Sequence, residues 1–464
     1  MERRITLHFV TTRTSCLLRA ILCPALALIV LVQTAQSRGQ AQTRQVPVDS
    51  LIYDLKNPDP VRRKEAARML GNNRVQRATP DLVAAASDSD PEVRREIVIA
   101  LDKMRDIRAL PGLVSLLGDP ERDVRDRSIQ GVVSLYLPQE SGLVVTLNKV
   151  ASFFNPWSDE WADIIVEPGI EVDPGAATAL RDRLQDSDEG IRTKACRALG
   201  ILRGRDAVPA LMETVQQERS NTVRYEAIRS LRKIGDAGAA KELMNYIGYN
   251  DSKIRNEAVY TIGRFRYAAA LPELTRLFEK ENALPRKQMD KVYRATLLEA
   301  IAFLADASSK ELLFKEKQNP DDELRLYAVS GLARIGDASV VTDVSRDRLH
   351  EKDPKIRAAQ AYALYRMGRK EFLDELVNAL GSRKTNREAR QYLLEFRSSD
   401  LPDLYGQIKN QDVNVREGLA EVFGLIGDST TIAPLQELGQ DRRGEIQALA
   451  NQAMRRINAR SVRP

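Results

Sequence analysis

The sequence predicts an all-α chain, a right-handed α-solenoid of about twelve stacked helical hairpins with one non-repeat insertion. Three observations lead there. An arginine in the same local setting recurs about every thirty-one positions, and small or apolar residues follow it at the spacing of one helical face. The length of 464 residues also exceeds the roughly 250 to 300 that one hydrophobic core sustains, so the chain either divides or grows as an array. Composition agrees: 43% hydrophobic but only 5% aromatic suits short helices packed closely through Ala, Leu, Ile and Val.

At the N-terminus, Arg3, Arg4, Arg13 and Arg19 precede an uninterrupted apolar run of thirteen residues from Ala20 to Val32. That run matches the apolar core of a secretory signal and falls short of the roughly 20 residues that span a bilayer. Residues 1–41 are therefore expected to be a signal peptide, cleaved after Ala35 and Ser37 or after Gly39 and Ala41. The expected location is periplasmic or secreted, with no membrane span after cleavage; the alternative is inner-membrane anchoring by an uncleaved segment. These residues hold five Arg and one Glu, so the formal charge falls from +6 to about +2 without them. A balance that small gives no reason to expect a nucleic-acid partner.

Residues 42–137 are assigned to repeats 1–3 and residues 174–464 to repeats 4–12 with a C-terminal cap. Segments such as Asp90-Pro91-Glu92-Val93-Arg94, Asp188-Glu189-Gly190-Ile191-Arg192 and Asp353-Pro354-Lys355-Ile356-Arg357 share a turn, a β-branched residue and an arginine. With that arginine as reference, the column reads Arg63, Arg94, Arg125, Arg192, Arg224, Arg255, Arg294, Arg325, Arg357, Asn386, Arg416 and Gln447. Successive gaps are 29 to 32 residues, apart from 67 after Arg125 and 39 after Arg255. Small or apolar side chains recur at plus three, six, seven and ten, as in Ala195, Ala198, Leu199 and Leu202, which is one face of a helix. Gly235, Gly336 and Gly427 are expected to close that first helix in the left-handed conformation, each followed by an Asp that favours a turn. Pro80, Pro111, Pro209, Pro272 and Pro434 are expected to open second helices, where a missing N–H is harmless. One hairpin cannot bury its own apolar face, so neighbours must stack into an elongated array.

The interruption, residues 138–173, gathers Phe153, Phe154, Trp157 and Trp161 with seven acidic residues against one Lys149. Long excursions from a compact framework are often functional, and aromatics favour docking, so these four residues are the candidate partner-binding set. The alternatives are an aromatic cluster folded back over the solenoid ridge, its acids meeting nearby arginines, and a disordered segment. Glu167-Pro168-Gly169 between apolar triplets suggests a small hairpin. The longer gap from Glu279 to Val292 is explained by extended helices or a linker.

Catalytic chemistry is sparsely provided. The chain has two histidines, His8 and His350, and three cysteines, of which only Cys196 lies beyond the signal segment. No phosphate loop or nucleophile elbow is present, and acids in the insertion have no regular calcium-loop spacing. No cofactor, no metal and no enzymatic activity are expected. Cys196, on an apolar helix face, reads as a small buried hydrophobe.

The elements Asp90 to Arg94, Ala195 to Gly200 and Ala207 to Leu211 resemble the HEAT-repeat superfamily, in particular the short PBS-lyase HEAT-like repeats. The resemblance covers nearly everything from about residue 50 except the insertion. It implies a ladder between adjacent units built from the reference arginines with Asp236, Asp337 and Asp428; Asn386 and Gln447 depart from the pattern. A solenoid supplies a large, gently curved surface, so the chain is read as a protein-binding scaffold or adaptor using the concave face, expected to be lined by second helices, with the aromatic insertion assisting. A lyase-like enzyme or lyase partner subunit related to phycobilin lyases is the alternative.

Overall fold

The computed structural model describes residues 47–137, 165–167 and 170–461. The expected signal segment 1–41 and the aromatic set Phe153, Phe154, Trp157 and Trp161 lie outside the described residues. Among the described residues every regular element is helical, and none of the helices is long and apolar enough to cross a membrane.

Twelve first helices each carry one reference residue. They run α1 (Pro60–Asn72), α2 (Pro91–Met104), α3 (Arg122–Tyr136), α4 (Glu189–Leu202), α5 (Asn221–Ile234), α6 (Ser252–Arg264), α7 (Lys291–Leu304), α8 (Asp322–Ile335), α9 (Pro354–Arg366), α10 (Asn386–Leu393), α11 (Val413–Ile426) and α12 (Gly444–Ser461). Shorter second helices lie between them, most entered through a 3₁₀ turn, as Gln76–Ala78 leads into Thr79–Ala84. The sequence specifies the starts well. Asp59, Asp90, Asp188, Asp251, Asp321, Asp353 and Asp412 each accept a backbone N–H from the first turn of the helix that follows. Pro80, Pro111, Pro209 and Pro272 fall in the first two positions of second helices.

Two of the three expected glycine stops occur: Gly235 (φ 80°) and Gly336 (φ 69°) are left-handed. Gly427 is not, with φ −62° and ψ 153°. There Asp428 and Thr431 form a reciprocal capping box that turns the extended chain, so no left-handed residue is required.

The two long gaps have different causes. The insertion falls inside one unit, between α3 and its second helix Pro174–Asp182. Its C-terminal root is tied down: Val166 is buried and donates to the Ile201 carbonyl at 2.7 Å, and the Asp173 N–H donates to the Tyr136 hydroxyl at 3.1 Å. The centre of the expected hairpin, residues 168–169, lies outside the described residues; in its described flanks there is no strand, and the Ile170 N–H donates to the Glu167 carbonyl. The gap of 39 reflects a long second helix, Leu271–Asn282, followed by a connection to α7.

First helices pack almost backbone to backbone. A Cβ on Gly71 would lie 2.6 Å from the Ala100 Cα, one on Gly200 2.9 Å from the Ser230 Cα, and one on Gly263 2.7 Å from the Ala300 Cα. In each pair a glycine eight positions after the reference residue meets a small residue six positions after the next one. That closeness on one side bends the array toward its first helices. The Ser330 hydroxyl of α8 reaches the Tyr392 hydroxyl of α10 at 2.7 Å, past the intervening α9. Arg266, just beyond α6, pairs with Glu395, just beyond α10, at 3.3 Å. Gln452 and Arg456 of α12 contact Glu167, whose neighbour Val166 is fixed to the end of α4. The last two contacts are centred on α8 and join helices two to either side, then four. The elongated array expected from stacking alone is thus corrected to one curled from α4 to α12, and its inner face is lined by first helices, not second.

Gly263→Ala is expected to destabilise by about 1–3 kcal/mol, because the intruding methyl meets backbone. Gly406→Ala, where a Cβ meets nothing within 4 Å, is expected to change stability by less than about 0.5 kcal/mol. Thermal unfolding of the two variants checks this, and equal losses would show that the close helix contact is not limiting.

Candidate functional site

The reference arginines form a ladder, but its acidic side differs from the expected one. Arg94 donates from Nε and Nη2 to the two oxygens of Asp119 at 2.6 and 3.0 Å, and from Nη1 to the carbonyls of Asp88 and Ser89. Arg63 treats Asp88 the same way, Arg125 bonds Asp186, Arg192 bonds Glu218, Arg325 bonds Glu351, and Arg416 bonds Asp441. Each acid stands six residues before the next reference residue and caps the turn there, as Asp119 accepts the Glu121 N–H. Asp236, Asp337 and Asp428 take no part in these rungs. They accept the N–H groups of Gly238, Ser339 and Thr430 and cap the turn inside each hairpin, on the far side of the first helix from the arginine.

The remaining reference residues vary the theme. Arg224 meets the Tyr249 hydroxyl at 2.7 Å where other units have a carboxylate, and Arg255 pairs with Asp290 while lying 4.1 Å from the Tyr293 ring centroid. Arg294 reaches Asp321 at 3.8 Å, and Arg357 reaches Glu375 at 3.4 Å. Asn386 and Gln447 keep only the bond to the carbonyl six residues back, on Leu380 and Asp441. This column is structural: its charges are committed between units. Cys196 is fully buried and its thiol is pushed up by that burial, as an inert core side chain would be. His350 is exposed, and its neighbour Glu351 is occupied by Arg325.

Polar and aromatic side chains gather instead on the inner face, many of them at positions five and nine after the reference, as Tyr260, Glu299, Arg334, Tyr362 and Glu395 are. The curl makes these side chains neighbours. Arg334 binds Glu395 at 2.7 Å, and the Tyr362 hydroxyl donates to the same carboxylate at 3.1 Å. Tyr362 stacks on Tyr392 at 4.7 Å, and Tyr365 stacks on Phe396 at 4.9 Å. Burial alone would raise Glu395, but Arg334 holds it below the ordinary carboxylate range. Beside this network opens a cleft of about 250 Å³, to which five consecutive first helices contribute: Tyr260 from α6, Glu299 and Phe303 from α7, Tyr327 from α8, Ile356 from α9 and Gln391 from α10. Glu299 is the outlier there. Burial pushes its carboxyl up to about 7, against the pull of Arg387, Arg264 and Arg334. Among the described residues, no group of three or more His, Cys, Asp or Glu side chains is placed to hold a metal.

The repeated hairpins, the rungs between them and the shared core define an α-solenoid. A family model described as HEAT repeats matches residues 48–132, 172–232, 208–289 and 311–394. Those stretches cover more than half of the chain, and the chain belongs to the HEAT-repeat family. No curated protein matches it in sequence. Among solved structures it is similar to an engineered protein, 19% identical over 89% of this chain and 98% of that one, with a TM-score of 0.35. It is also similar to the complex of CpcE and CpcF of phycocyanin lyase from Nostoc sp. PCC7120, at 19% identity over 63% and 96% of the two chains and a TM-score of 0.29. A designed armadillo repeat protein in complex with a (KR)4 peptide is 18% identical over 47% of this chain and 100% of that one, with a TM-score of 0.33.

Asp119→Ala leaves the largely buried Arg94 without its carboxylate, and a loss of about 3 kcal/mol is expected. Hydrogen exchange should rise across α2 and α3 in that variant. Removing Glu437 from its exposed pair with Lys409 should leave exchange unchanged, and the ladder loses its assigned role if the two variants behave alike.

Glu299 gives a pH signature. Its folded-state value lies above its ordinary 4.5, so between about 4.5 and 7 the native chain holds a proton that the unfolded chain has released. The corresponding stability is complete below that window and is lost as pH rises through it. Glu299→Gln should therefore raise the Tm at pH 8, by the equivalent of about 1–2 kcal/mol, with no gain at pH 4.5. A Tm difference independent of pH would show that the carboxyl titrates normally.

Proposed function

We propose that the chain is a non-catalytic scaffold that works outside the cytoplasm and holds a partner polypeptide against the inner face of its first helices. The observation that carries this reading is the cleft at α6–α10, where polar and aromatic side chains from five successive repeats reach one hollow. A repeat array offers such a surface because each unit contributes the same inner positions in register. The location is supported by residues 1–41, whose arginines, apolar run and small residues suit export. Phe153, Phe154, Trp157 and Trp161 supply a second contact in this proposal, since the root of their insertion is fixed beside α4 and α12.

A photo-crosslinking residue placed at Gln391, on the inner face, is compared with one at the exposed Lys280 of the second helix Leu271–Asn282, in the envelope of cells expressing the full chain. Adducts with defined partners are expected from the first position and not the second. Equal yields from both, or none at Gln391, would remove the inner face as the binding surface. Trp157→Ala with Trp161→Ala should lower the yield, and an unchanged yield excludes the insertion from the contact.

A further inference from the structure

We infer that the cleft at α6–α10 receives one basic side chain, lysine or arginine, of a bound polypeptide, with Glu299 as its counter-ion and the ring of Tyr327 as its wall. This rests on the scaffold proposal and names the chemistry of its central contact. Counting charges around the cleft leads to it. The lining holds Glu299, Asp322, Glu323, Asp353 and Glu388 against Arg334, Lys355 and Arg387. Most of these are already engaged. Arg334 is bound to Glu395, Lys355 to Glu388 at 2.9 Å, and Asp322 to Arg325 at 2.6 Å, while Asp353 caps α9. Within the lining this leaves two glutamates, Glu299 and Glu323, against one arginine, Arg387, an acidic balance that Arg264, over the Phe303 ring outside the lining, partly offsets.

The aromatic side chains show what this wall attracts. Arg334 and Arg264 lie 4.4 and 5.0 Å from the Phe303 ring centroid, and Arg232 lies 5.1 Å from that of Tyr260. Cations over aromatic faces gain from the ring quadrupole, and more so where water is excluded. Tyr327, beside Glu299, has no such cation among the described residues. Its hydroxyl is pushed up by burial and by the Glu299 and Glu323 carboxyls, so it stays protonated and leaves the negative charge to the glutamates. A partly buried carboxyl without a close counter-ion is costly to ionise, and an incoming ammonium or guanidinium supplies one. The volume of about 250 Å³ is below the roughly 300 Å³ at which small-molecule sites begin, and suits a single side chain projecting from a backbone that stays outside.

The probe is a phage-displayed library of twelve-residue peptides selected on the full chain, with enriched peptides resynthesised. Each should contain one basic residue whose exchange for norleucine or citrulline weakens binding about tenfold. In Glu299→Gln that penalty should vanish, whereas Arg387→Gln, which removes the competing cation, should strengthen binding about threefold. Circular dichroism of both variants should match the parent. Enriched peptides without a required basic residue, or a penalty that persists in Glu299→Gln, would overturn the assignment while leaving an inner-face scaffold standing. A library that yields no binder overturns it as well, and the scaffold is then judged by the photo-crosslinks alone.

Discussion

In six units the guanidinium of the reference arginine, Arg63, Arg94, Arg125, Arg192, Arg325 or Arg416, is bound on both sides, to two carbonyls of the turn before its own helix and to a carboxylate in the turn before the next one. The carboxylate in turn caps its own turn, and its residue's carbonyl accepts from the following arginine. Charges this well shielded contribute little net stability, because their desolvation offsets most of the attraction. What the planar fork supplies is geometry: two parallel bonds fix the separation and rotation of consecutive units in a way that a lysine could not. Rotation matters here because errors at each joint add along the array. The meeting of α6 with α10, and of α12 with the root beside α4, requires every intermediate joint to be set.

The exceptions in the ladder fall where other contacts set the joint. Asn386 heads α10, and the residue that would be its acidic counterpart is Asn410, so neither half of an ionic rung is present. Helix α10 has only eight residues. It is positioned from the inner side, by the Tyr392 stack on Tyr362, by the hydroxyl contact with Ser330, and by Glu395 held between Arg334 and Arg266. The cleft lies where periodic ionic joints give way to this irregular network. A repeat protein that needs one distinctive place along a uniform surface can obtain it by such a local change.

The period, the first helices and the arginine column were legible because they depend on short-range patterns: a capping Asp, a helical stripe of small residues, an arginine at a fixed offset. The acidic partners were harder to see. They are 25 or 26 residues from their arginines in most units, and the more conspicuous Asp after each glycine drew the assignment to Asp236, Asp337 and Asp428. Position minus six carried the signal, reading Asp88, Asp119, Asp186, Glu218, Glu351 and Asp441. The inner face was missed for another reason. Glu299, Tyr327, Arg334 and Glu395 occupy positions that a search for apolar stripes leaves to solvent, and only the curl brings them together. That curl is set by tight pairs such as Gly263 against Ala300, whose effect on curvature is visible only when successive joints are compounded in space.

The clasp of α12 on Glu167 bears on how the chain is made. Most solenoid contacts join neighbours in sequence, so units can fold in the order in which they leave the ribosome. Here a residue at the root of the insertion waits for partners at Gln452 and Arg456, 285 positions later for the first of them. Synthesis of the final helix, not of the repeat that carries the insertion, is the step at which that root finds its last support.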